Sequence, residues 1–230
     1  MPRITFFAYA RLRSGCIALA ATLVAATTGL AATPPADVSE RLDNPPQAAR
    51  TGPEPSAAMV APFVTTPQSI VDEMLRLANA GPGDFVIDLG SGDGRLVLAA
   101  VTRFGVRGGL GVDLDPRLVQ HANAKAQEAG VTDRAQFYVR DLFDTDIHGA
   151  TVVTVYLLPG IMGRLQDKLL AELPAGSRVV SHDYPFPSWP MDRVRTFDVP
   201  EKNDYTGRRS TSVYLYTVPA RAPTAAPARS

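Results

Sequence analysis

The stretch VIDLGSGDGRLVLAA, residues 86–100, constrains the fold more than any other part of this 230-residue chain. A short apolar run ends at Asp88, glycines follow at positions 90, 92 and 94, and a helical pattern begins directly afterwards. Glycine lets a backbone turn tightly and approach a ligand closely, and the free N–H groups of a helix N-terminus attract polar ligands. The stretch therefore predicts a strand, a ligand-binding turn and a helix.

The alternation of strand and helix continues along the chain. Such an alternation predicts an α/β sandwich with a mostly parallel sheet, and two final strand patterns joined by the turn-rich EKNDYTGR predict a terminal hairpin. The strand patterns lie at 84–90, 108–115, 134–141, 151–159, 176–184, 192–200 and 210–218, and the helix patterns at 67–79, 93–104, 116–130 and 163–173.

The charge balance and the cysteine content exclude several classes of function. Lys and Arg number 23, as do Asp and Glu, so there is no surplus positive charge for a phosphate backbone and no nucleic-acid partner is expected. Cys16 is the only cysteine and lies near the N-terminus, which leaves no thiolate ligands for a metal in the rest of the chain. His121 and His148 have no second ligand nearby in sequence, so no metal is expected. No feature points to an oligomeric state.

Residues 1–32 have the parts of an export signal. Three arginines precede an uncharged apolar run from Gly15 to Ala32, and this run is also long enough to remain as a membrane anchor. The expectation is therefore an exported protein, in the periplasm or associated with a membrane. The alternative is a cytoplasmic protein whose start codon is misassigned.

Two further segments are expected to lie outside the folded domain. Residues 33–60 are rich in Pro, Ala and small polar residues, a composition that buries too little apolar surface to offset the entropy of ordering, and we predict a disordered linker there. Residues 219–230 have the same character and are predicted to be a disordered tail. The domain itself is expected at 61–218.

Acidic residues at successive strand ends indicate the kind of ligand. A dinucleotide-binding loop would have its third glycine at position 95, but Arg95 is there. Asp113 ends the second strand, 25 residues after Asp88, close to the ~20-residue interval at which an acid meets ribose hydroxyls in nucleotide-binding α/β folds. Asp141 ends the third predicted strand. Together these acids predict a site for a nucleoside-containing ligand without a pyrophosphate.

The chain resembles the small family of class I S-adenosylmethionine-dependent methyltransferases that includes the mitochondrial lysine methyltransferases of the adenine nucleotide translocase and of the ATP synthase c-subunit. The resemblance covers about residues 61–218, through MLRLANAGPGDFVIDLGSGDGRLVLAAV, GVDLDPRLV, FYVRDLF, TVVTVYLLPG, LPAGSRVVSHDY and PFPSWPMD. It implies a Rossmann-like α/β sandwich whose mostly parallel seven-stranded sheet ends in an antiparallel hairpin. It also implies S-adenosyl-L-methionine as cofactor and a protein lysine as acceptor, with a membrane protein as one candidate substrate.

The resemblance also implies roles for individual residues. Asp113 would meet the ribose, Asp141 and Leu142 the adenine edge, and Ser91 and Asp93 the amino-acid part of the cofactor. The predicted cofactor-binding residues are Asp88, Gly90, Ser91, Gly92, Asp93, Gly94, Asp113, Asp141 and Leu142.

The fourth strand ends in YLLPG, which places Tyr156 and Pro159 where this fold holds the transferable methyl. Many amide and base methyltransferases have Asn or Asp followed by Pro-Pro-aromatic at this point, so a planar nitrogen acceptor is disfavoured. A neutral aliphatic amine needs mainly alignment and exclusion of water. Tyr156 is predicted to be catalytic in that sense and Pro159 to contact the substrate; packing alone is the alternative for Tyr156.

SHDYPFPSW, residues 181–189, supplies the remaining candidates. His182 and Asp183 are predicted catalytic residues that accept the amine proton or pair with its cation. The alternative for His182 is a buried His–Asp hydrogen bond that anchors the loop. The aromatic residues are predicted to form a lid and substrate-docking wall. The predicted substrate-binding residues of this wall are Tyr184, Phe186 and Trp189.

Two alternatives to a protein-lysine methyltransferase stay open. One is methyl transfer to a small-molecule amine or hydroxyl. The other is a cofactor-binding envelope module without catalysis, because export would remove the protein from the cytosolic supply of cofactor.

Overall fold

The structure is a computed structural model that describes residues 65–202, 207 and 209–220. The predicted leader at 1–32 and linker at 33–60 lie outside the described residues, as does the tail beyond residue 220. Within the described part, none of the helices has the length and apolar character needed to cross a membrane.

The described part of the domain contains four α-helices and seven strands, and only a short 3-10 turn is described between the last two strands. The helices are α1 (Gln68–Leu77), α2 (Arg95–Arg103), α3 (Pro116–Glu128) and α4 (Pro159–Glu172). The strands are β1 (Phe85–Leu89), β2 (Gly108–Asp113), β3 (Ala135–Val139), β4 (Val152–Val155), β5 (Arg178–His182), β6 (Arg193–Asp198) and β7 (Ser210–Thr217).

The strands form one seven-stranded sheet in the order β3-β2-β1-β4-β5-β7-β6. The first five strands of this order are parallel to one another, and β7 runs antiparallel to both β5 and β6. The predicted fold class, with its mostly parallel sheet and antiparallel C-terminal hairpin, is therefore confirmed.

Helices cover both faces of the sheet. Apolar residues of α1, α2 and α3 pack against one face, where they meet side chains such as Val86, Val152 and Val180. Met162, Leu165 and Leu169 of α4 pack against the opposite face. Burial on both faces explains why β1 and β4 are apolar almost throughout.

Several strands end earlier than the sequence pattern predicts. The largest difference is in β4, which was predicted to reach residue 159 but ends at Val155, and Pro159 begins α4 instead. The third strand also ends early. The sequence pattern extends the third strand to Asp141, whereas β3 ends at Val139. The Asp141 carboxylate accepts the backbone N–H of Phe143 at 2.8 Å and opens a short 3-10 turn at Leu142–Asp144. This local side-chain bond competes with continuation of the strand.

The register brings four strand ends together. Leu89 at the end of β1 pairs with Val112 on one side and Val155 on the other, and Val155 pairs with Ser181. Ligands of open α/β sheets bind outside the carboxyl ends of the strands. The site is therefore expected above β2, β1, β4 and β5.

Candidate active site

The glycine loop between β1 and α2 adopts a conformation that only glycine tolerates well. Gly90, Gly92 and Gly94 have φ values of +83°, +53° and +77°. A Cβ at position 90 would lie 2.9 Å from Leu157 Cδ2, and one at position 94 would lie 2.7 Å from the Phe137 ring. The loop therefore turns with a bare backbone and leaves room for a ligand beside it.

Asp113 holds this loop in place. Its Oδ2 accepts the backbone N–H of Gly92 at 2.8 Å, and its Oδ1 accepts the backbone N–H of Asp115 at 3.0 Å. A carboxylate has about four acceptor positions, so both oxygens can still accept ribose hydroxyls. Asp113 thus fixes the loop in addition to the predicted ribose contact.

The Asp93 side chain is paired with two neighbouring cations. Arg95 donates to both of its oxygens at 2.8 Å, and Lys125 Nζ lies 2.7 Å from Oδ2. Burial alone would raise the pKa of Asp93, but these two cations hold it well below its usual range. The carboxylate therefore links α2 to α3, and the predicted contact of Asp93 with the amino-acid part of the cofactor stays a prediction.

Ser91 has a buried hydroxyl at the same loop. The residue is buried, and its Oγ has no hydrogen-bond partner among the described residues. Its backbone N–H, like that of Gly90, donates to the carbonyl of Val112 at 2.9 Å. A buried polar atom without a partner is uncommon, and it fits a loop that completes its bonding when a polar ligand binds.

Asp88 is a buried acid below the loop. Thr154 Oγ1 of β4 donates to its Oδ1 at 2.7 Å. Burial raises the pKa of Asp88 to about 7, with the charges of Asp113 and Asp93 adding to the effect and the Thr154 hydrogen bond opposing it. The carboxyl is therefore about half protonated at neutral pH, and a cationic ligand would favour its ionised form.

The ends of β2 and β3 carry exposed apolar side chains beside their acids. Leu114 follows Asp113 and is 57% exposed, and Val139 pairs with Asp113 in register and is 54% exposed. Asp141 is exposed and Leu142 partly buried at the neighbouring turn. The carboxylates can accept hydrogen bonds from ribose hydroxyls and from an adenine amine, and the exposed apolar side chains can contact the flat adenine ring.

Tyr156 lies at the opposite end of the site, directly after β4. Its ring centroid is 4.0 Å from that of His182 and 6.5 Å from that of Tyr184. Burial and the Asp183 charge raise the pKa of Tyr156 to about 12, so its hydroxyl remains protonated at neutral pH. Tyr156 is therefore a partly buried aromatic wall with a hydroxyl that can donate, and it does not act as a base.

Asp183 connects this wall to a lysine that the sequence analysis did not select. The Tyr156 hydroxyl lies 3.5 Å from its Oδ2, the outer limit of a hydrogen bond, and Thr211 Oγ1 donates to its Oδ1 at 2.9 Å. The Lys202 ammonium forms an ion pair with Oδ2. Burial alone would raise the pKa of Asp183, but His182 and the hydrogen bonds from Lys202 and Thr211 hold it below its usual value.

His182 is almost fully enclosed. It is 1% exposed, its Nε2 lies 2.8 Å from Thr211 Oγ1, and burial lowers its pKa to about 4. A neutral ring with no exposed surface cannot receive a proton from an acceptor outside it without moving. His182 is thus buried at the end of β5, but its hydrogen bond goes to Thr211, and its Nε2 lies 3.6 Å from Asp183 Oδ2, so the predicted His–Asp hydrogen bond is not formed.

Two of the predicted substrate contacts belong to the core. Phe186 is 4% exposed and Trp189 7% exposed, and their ring centroids lie 5.0 Å and 5.3 Å from that of Tyr216. The segment folds back over the face of the sheet that α4 covers, where burial of large aromatic surface is favourable. The predicted docking wall is therefore wrong for these two residues. Tyr184 stays at the site, and Pro159 begins α4 as an exposed residue.

The arrangement fits S-adenosyl-L-methionine. The loop offers a bare backbone, a buried hydroxyl without a partner and, at Asp88, an acid that a cation would ionise, while Asp113 and Leu114 suit a nucleoside. When bound, this cofactor supplies an electrophilic methyl on a sulfonium. Among the described residues there is no group of three or more His, Cys, Asp or Glu that could hold a metal ion.

Comparison with known protein families identifies the domain. The model of the ANTKMT methyltransferase domain matches residues 88–193. A protein-lysine N-methyltransferase of Saccharolobus islandicus is 37% identical over 158 residues, which are 68% of this chain and 93% of that protein.

Two mouse proteins are also similar. The adenine nucleotide translocase lysine N-methyltransferase is 40% identical over 60% of this chain and 63% of its own length. The lysine N-methyltransferase of the ATP synthase c-subunit is 33% identical over 70% of this chain and 59% of its own length. The chain thus spans about three fifths of each mouse relative.

Among solved structures, an RNA methyltransferase of Salinibacter ruber in complex with S-adenosyl-L-homocysteine is 42% identical. The match covers 70% of this chain and 97% of that one, with a TM-score of 0.61. The fold, the cofactor loop and these relatives agree, and the chain belongs to the ANTKMT family of class I S-adenosyl-L-methionine-dependent methyltransferases.

Proposed function

We propose that this enzyme transfers a methyl group from S-adenosyl-L-methionine to the side-chain amine of a protein lysine. The observation that carries the proposal is the match over 93% of the length of the Saccharolobus protein, which is a protein-lysine N-methyltransferase. The two mouse relatives are lysine N-methyltransferases as well.

The chemistry of the acceptor end supports an aliphatic amine. A neutral amine attacks a sulfonium methyl with its own lone pair, so the protein has to align it and keep water out. Tyr156 and Tyr184 provide aromatic surface for that purpose. Tyr156 stays protonated and Asp183 is already paired with Lys202, so neither is a strong base. The strand end also reads YLLPG, whereas many amide and base methyltransferases have Asn or Asp followed by Pro-Pro-aromatic there.

RNA is the second candidate acceptor, because the Salinibacter protein at 42% identity is described as an RNA methyltransferase. The charge composition argues against it: Lys and Arg only equal Asp and Glu in number, whereas RNA binding draws on surplus positive charge. Protein lysine is therefore the preferred acceptor.

The experiment uses the full-length protein with methyl-labelled S-adenosyl-L-methionine and an extract from cells that lack the gene. We expect label in protein, removed by protease and resistant to ribonuclease, and mass spectrometry should place it on lysine. A variant with Asp113→Ala serves as the control for cofactor-dependent labelling. Label that ribonuclease removes would establish the RNA acceptor instead, and absence of label in both fractions would contradict both proposals.

We further propose that the protein is exported or membrane-associated and that its substrate is a membrane or envelope protein. The proposal rests on the arginines and apolar run of residues 1–32. Fractionation of cells that produce a C-terminally tagged protein tests it. Tagged protein found only in the cytosol, with its N-terminus downstream of residue 32, would contradict it.

A further inference from the structure

Lys202 is a buried cation at the acceptor end of the site. The residue is 5% exposed and lies in the turn between β6 and β7. Its ammonium contacts Asp183 Oδ2, Thr211 Oγ1 at 3.0 Å and the carbonyl of Ser210 at 3.4 Å. Lysine is almost never fully buried unless it is paired, so this arrangement indicates a specific role for the charge.

The charge faces a small set of titratable groups. Asp183 and His182 reach it from the end of β5, and Tyr156 reaches Asp183 from the end of β4. Tyr184 stacks on Tyr156 from the loop after β5. Burial lowers the pKa of His182 to about 4 and raises that of Tyr156 to about 12, so both are neutral at pH 7. Asp183 and Lys202 are oppositely charged and offset each other.

We propose that Lys202 is a positioning residue for methyl transfer, whose ammonium offsets the Asp183 charge and thereby keeps the acceptor amine neutral. The proposal rests on the proposed lysine acceptor. An isolated carboxylate within a few ångströms of an amine raises the pKa of that amine. The amine would then remain an ammonium, which has no lone pair for attack. With Lys202 in place, the Asp183 charge is offset by a neighbouring ammonium, and burial favours the neutral amine.

Transfer of the methyl group to a neutral amine conserves both electrons and charge. The lone pair of the neutral amine forms the new N–CH3 bond while the S–CH3 bond breaks and its electron pair stays on sulfur. The positive charge moves from the sulfonium to the methylated ammonium, which afterwards loses a proton to solvent. Lys202 takes no part in either bond and acts only through Asp183 and the Tyr156 hydroxyl.

The pH dependence of kcat tests the proposal. Lys202→Met leaves Asp183 uncompensated, and we expect the pH at half-maximal kcat to rise by about one unit. Lys202→Arg keeps the charge and should retain the profile of the unmodified enzyme. The double variant Asp183→Asn, Lys202→Met removes both charges and should restore that profile, even if its kcat is lower. Identical profiles for Lys202→Met and the unmodified enzyme would overturn the proposal.

A measurement without turnover separates this proposal from the choice of acceptor. In Lys202→Met the His182 pKa, followed by NMR of the imidazole protons, should rise from about 4 toward its ordinary value, because Lys202 lowers it and Asp183 raises it. The double variant should bring it down again. An unchanged His182 pKa in folded Lys202→Met would overturn the role of the Lys202 charge. Failure of the unmodified enzyme to methylate lysine would instead overturn the proposed function.

Discussion

The backbone N–H of Gly92 donates a 2.8 Å hydrogen bond to Oδ2 of Asp113, so the acid at the end of β2 fixes the loop that follows β1. The same carboxylate is the predicted ribose contact. One side chain therefore fixes the conformation of the glycine loop and is also the residue predicted to bind the ribose, so a substitution of Asp113 changes both.

Asp113→Ala should weaken binding of S-adenosyl-L-homocysteine by about 2 kcal/mol, because it removes charge-assisted bonds to the ligand and to the Gly92 N–H. Isothermal titration calorimetry measures the change. Asp133→Ala is the matched control, since Asp133 is an exposed acid before β3 and should leave affinity unchanged. Equal affinities for the two variants would remove Asp113 from the site.

Gly94→Ala should lower the free energy of unfolding by about 3 kcal/mol or more. The new Cβ would meet the Ala122 and Phe137 side chains at 2.7 Å, and φ is +77°. Gly130→Ala provides the control, because its φ of +65° carries similar backbone strain but nothing lies within 4 Å of the added Cβ. Urea unfolding compares the two variants. A loss no larger than that of Gly130→Ala would mean that the loop accommodates the methyl group.

Cofactor affinity should increase as the pH rises through about 7. Burial raises the pKa of Asp88 to that value, so the carboxyl is protonated below it, and only the ionised form above it attracts the positive charges of S-adenosyl-L-methionine. Binding near neutral pH should therefore release protons, which calorimetry detects in buffers of different ionisation enthalpy. Asp88→Asn should abolish this release; if the variant releases as many protons, another group is responsible.

Tyr156→Phe should leave cofactor affinity unchanged and lower kcat several-fold, because the ring remains while the hydroxyl that faces Asp183 is lost. Calorimetry and steady-state methylation assays measure the two quantities. Tyr214→Phe removes a hydroxyl from β7, where the residue pairs with Ser181, and should leave kcat unchanged. If Tyr156→Phe has the kcat of the unmodified enzyme, Tyr156 serves as packing only.

Phe186→Ala should destabilise the domain by about 3 kcal/mol, because the residue is 4% exposed and its ring packs against Trp189 and Tyr216. Thermal or urea unfolding measures the loss. The KM for the acceptor, measured at a temperature where the variant is folded, should not change. A large rise in KM without loss of stability would mean that Phe186 contacts the substrate after all.

The strand and helix pattern was enough to predict the fold. The hydrophobic period, the segment lengths and the turn residues predicted the elements, and the structure places the glycine loop beside Asp113 at the end of the next strand. Parallel strands place their carboxyl ends at the same edge of the sheet. The positions of residues along the sequence were therefore enough to predict which of them meet at that edge. The pattern places Asp141 in the right loop, although β3 stops at Val139 because the Asp141 side chain bonds to its own turn.

Side-chain direction was the part that the sequence did not determine. A proline-rich aromatic segment has the same pattern whether its rings line a cleft or pack into the core, and Phe186 and Trp189 pack into the core. Asp93 is indistinguishable in sequence from a ligand-facing acid until Lys125, 32 residues away, is seen to contact it. Lys202 lies in a polar turn whose pattern predicts only a connection, and the pairing of β6 with β7 brings it to Asp183.

The Arg95 guanidinium also has a practical consequence for protein production. While two of its nitrogens hold Asp93, its Nη1 donates to the carbonyl of Thr66 at 2.7 Å, just before α1. A truncated protein that starts at residue 68 would lack this carbonyl and would leave a partly buried guanidinium short of one acceptor beside the glycine loop. The N-terminal boundary chosen for expression therefore affects the cofactor loop directly, and weak cofactor binding by an over-trimmed protein would say nothing about the native enzyme.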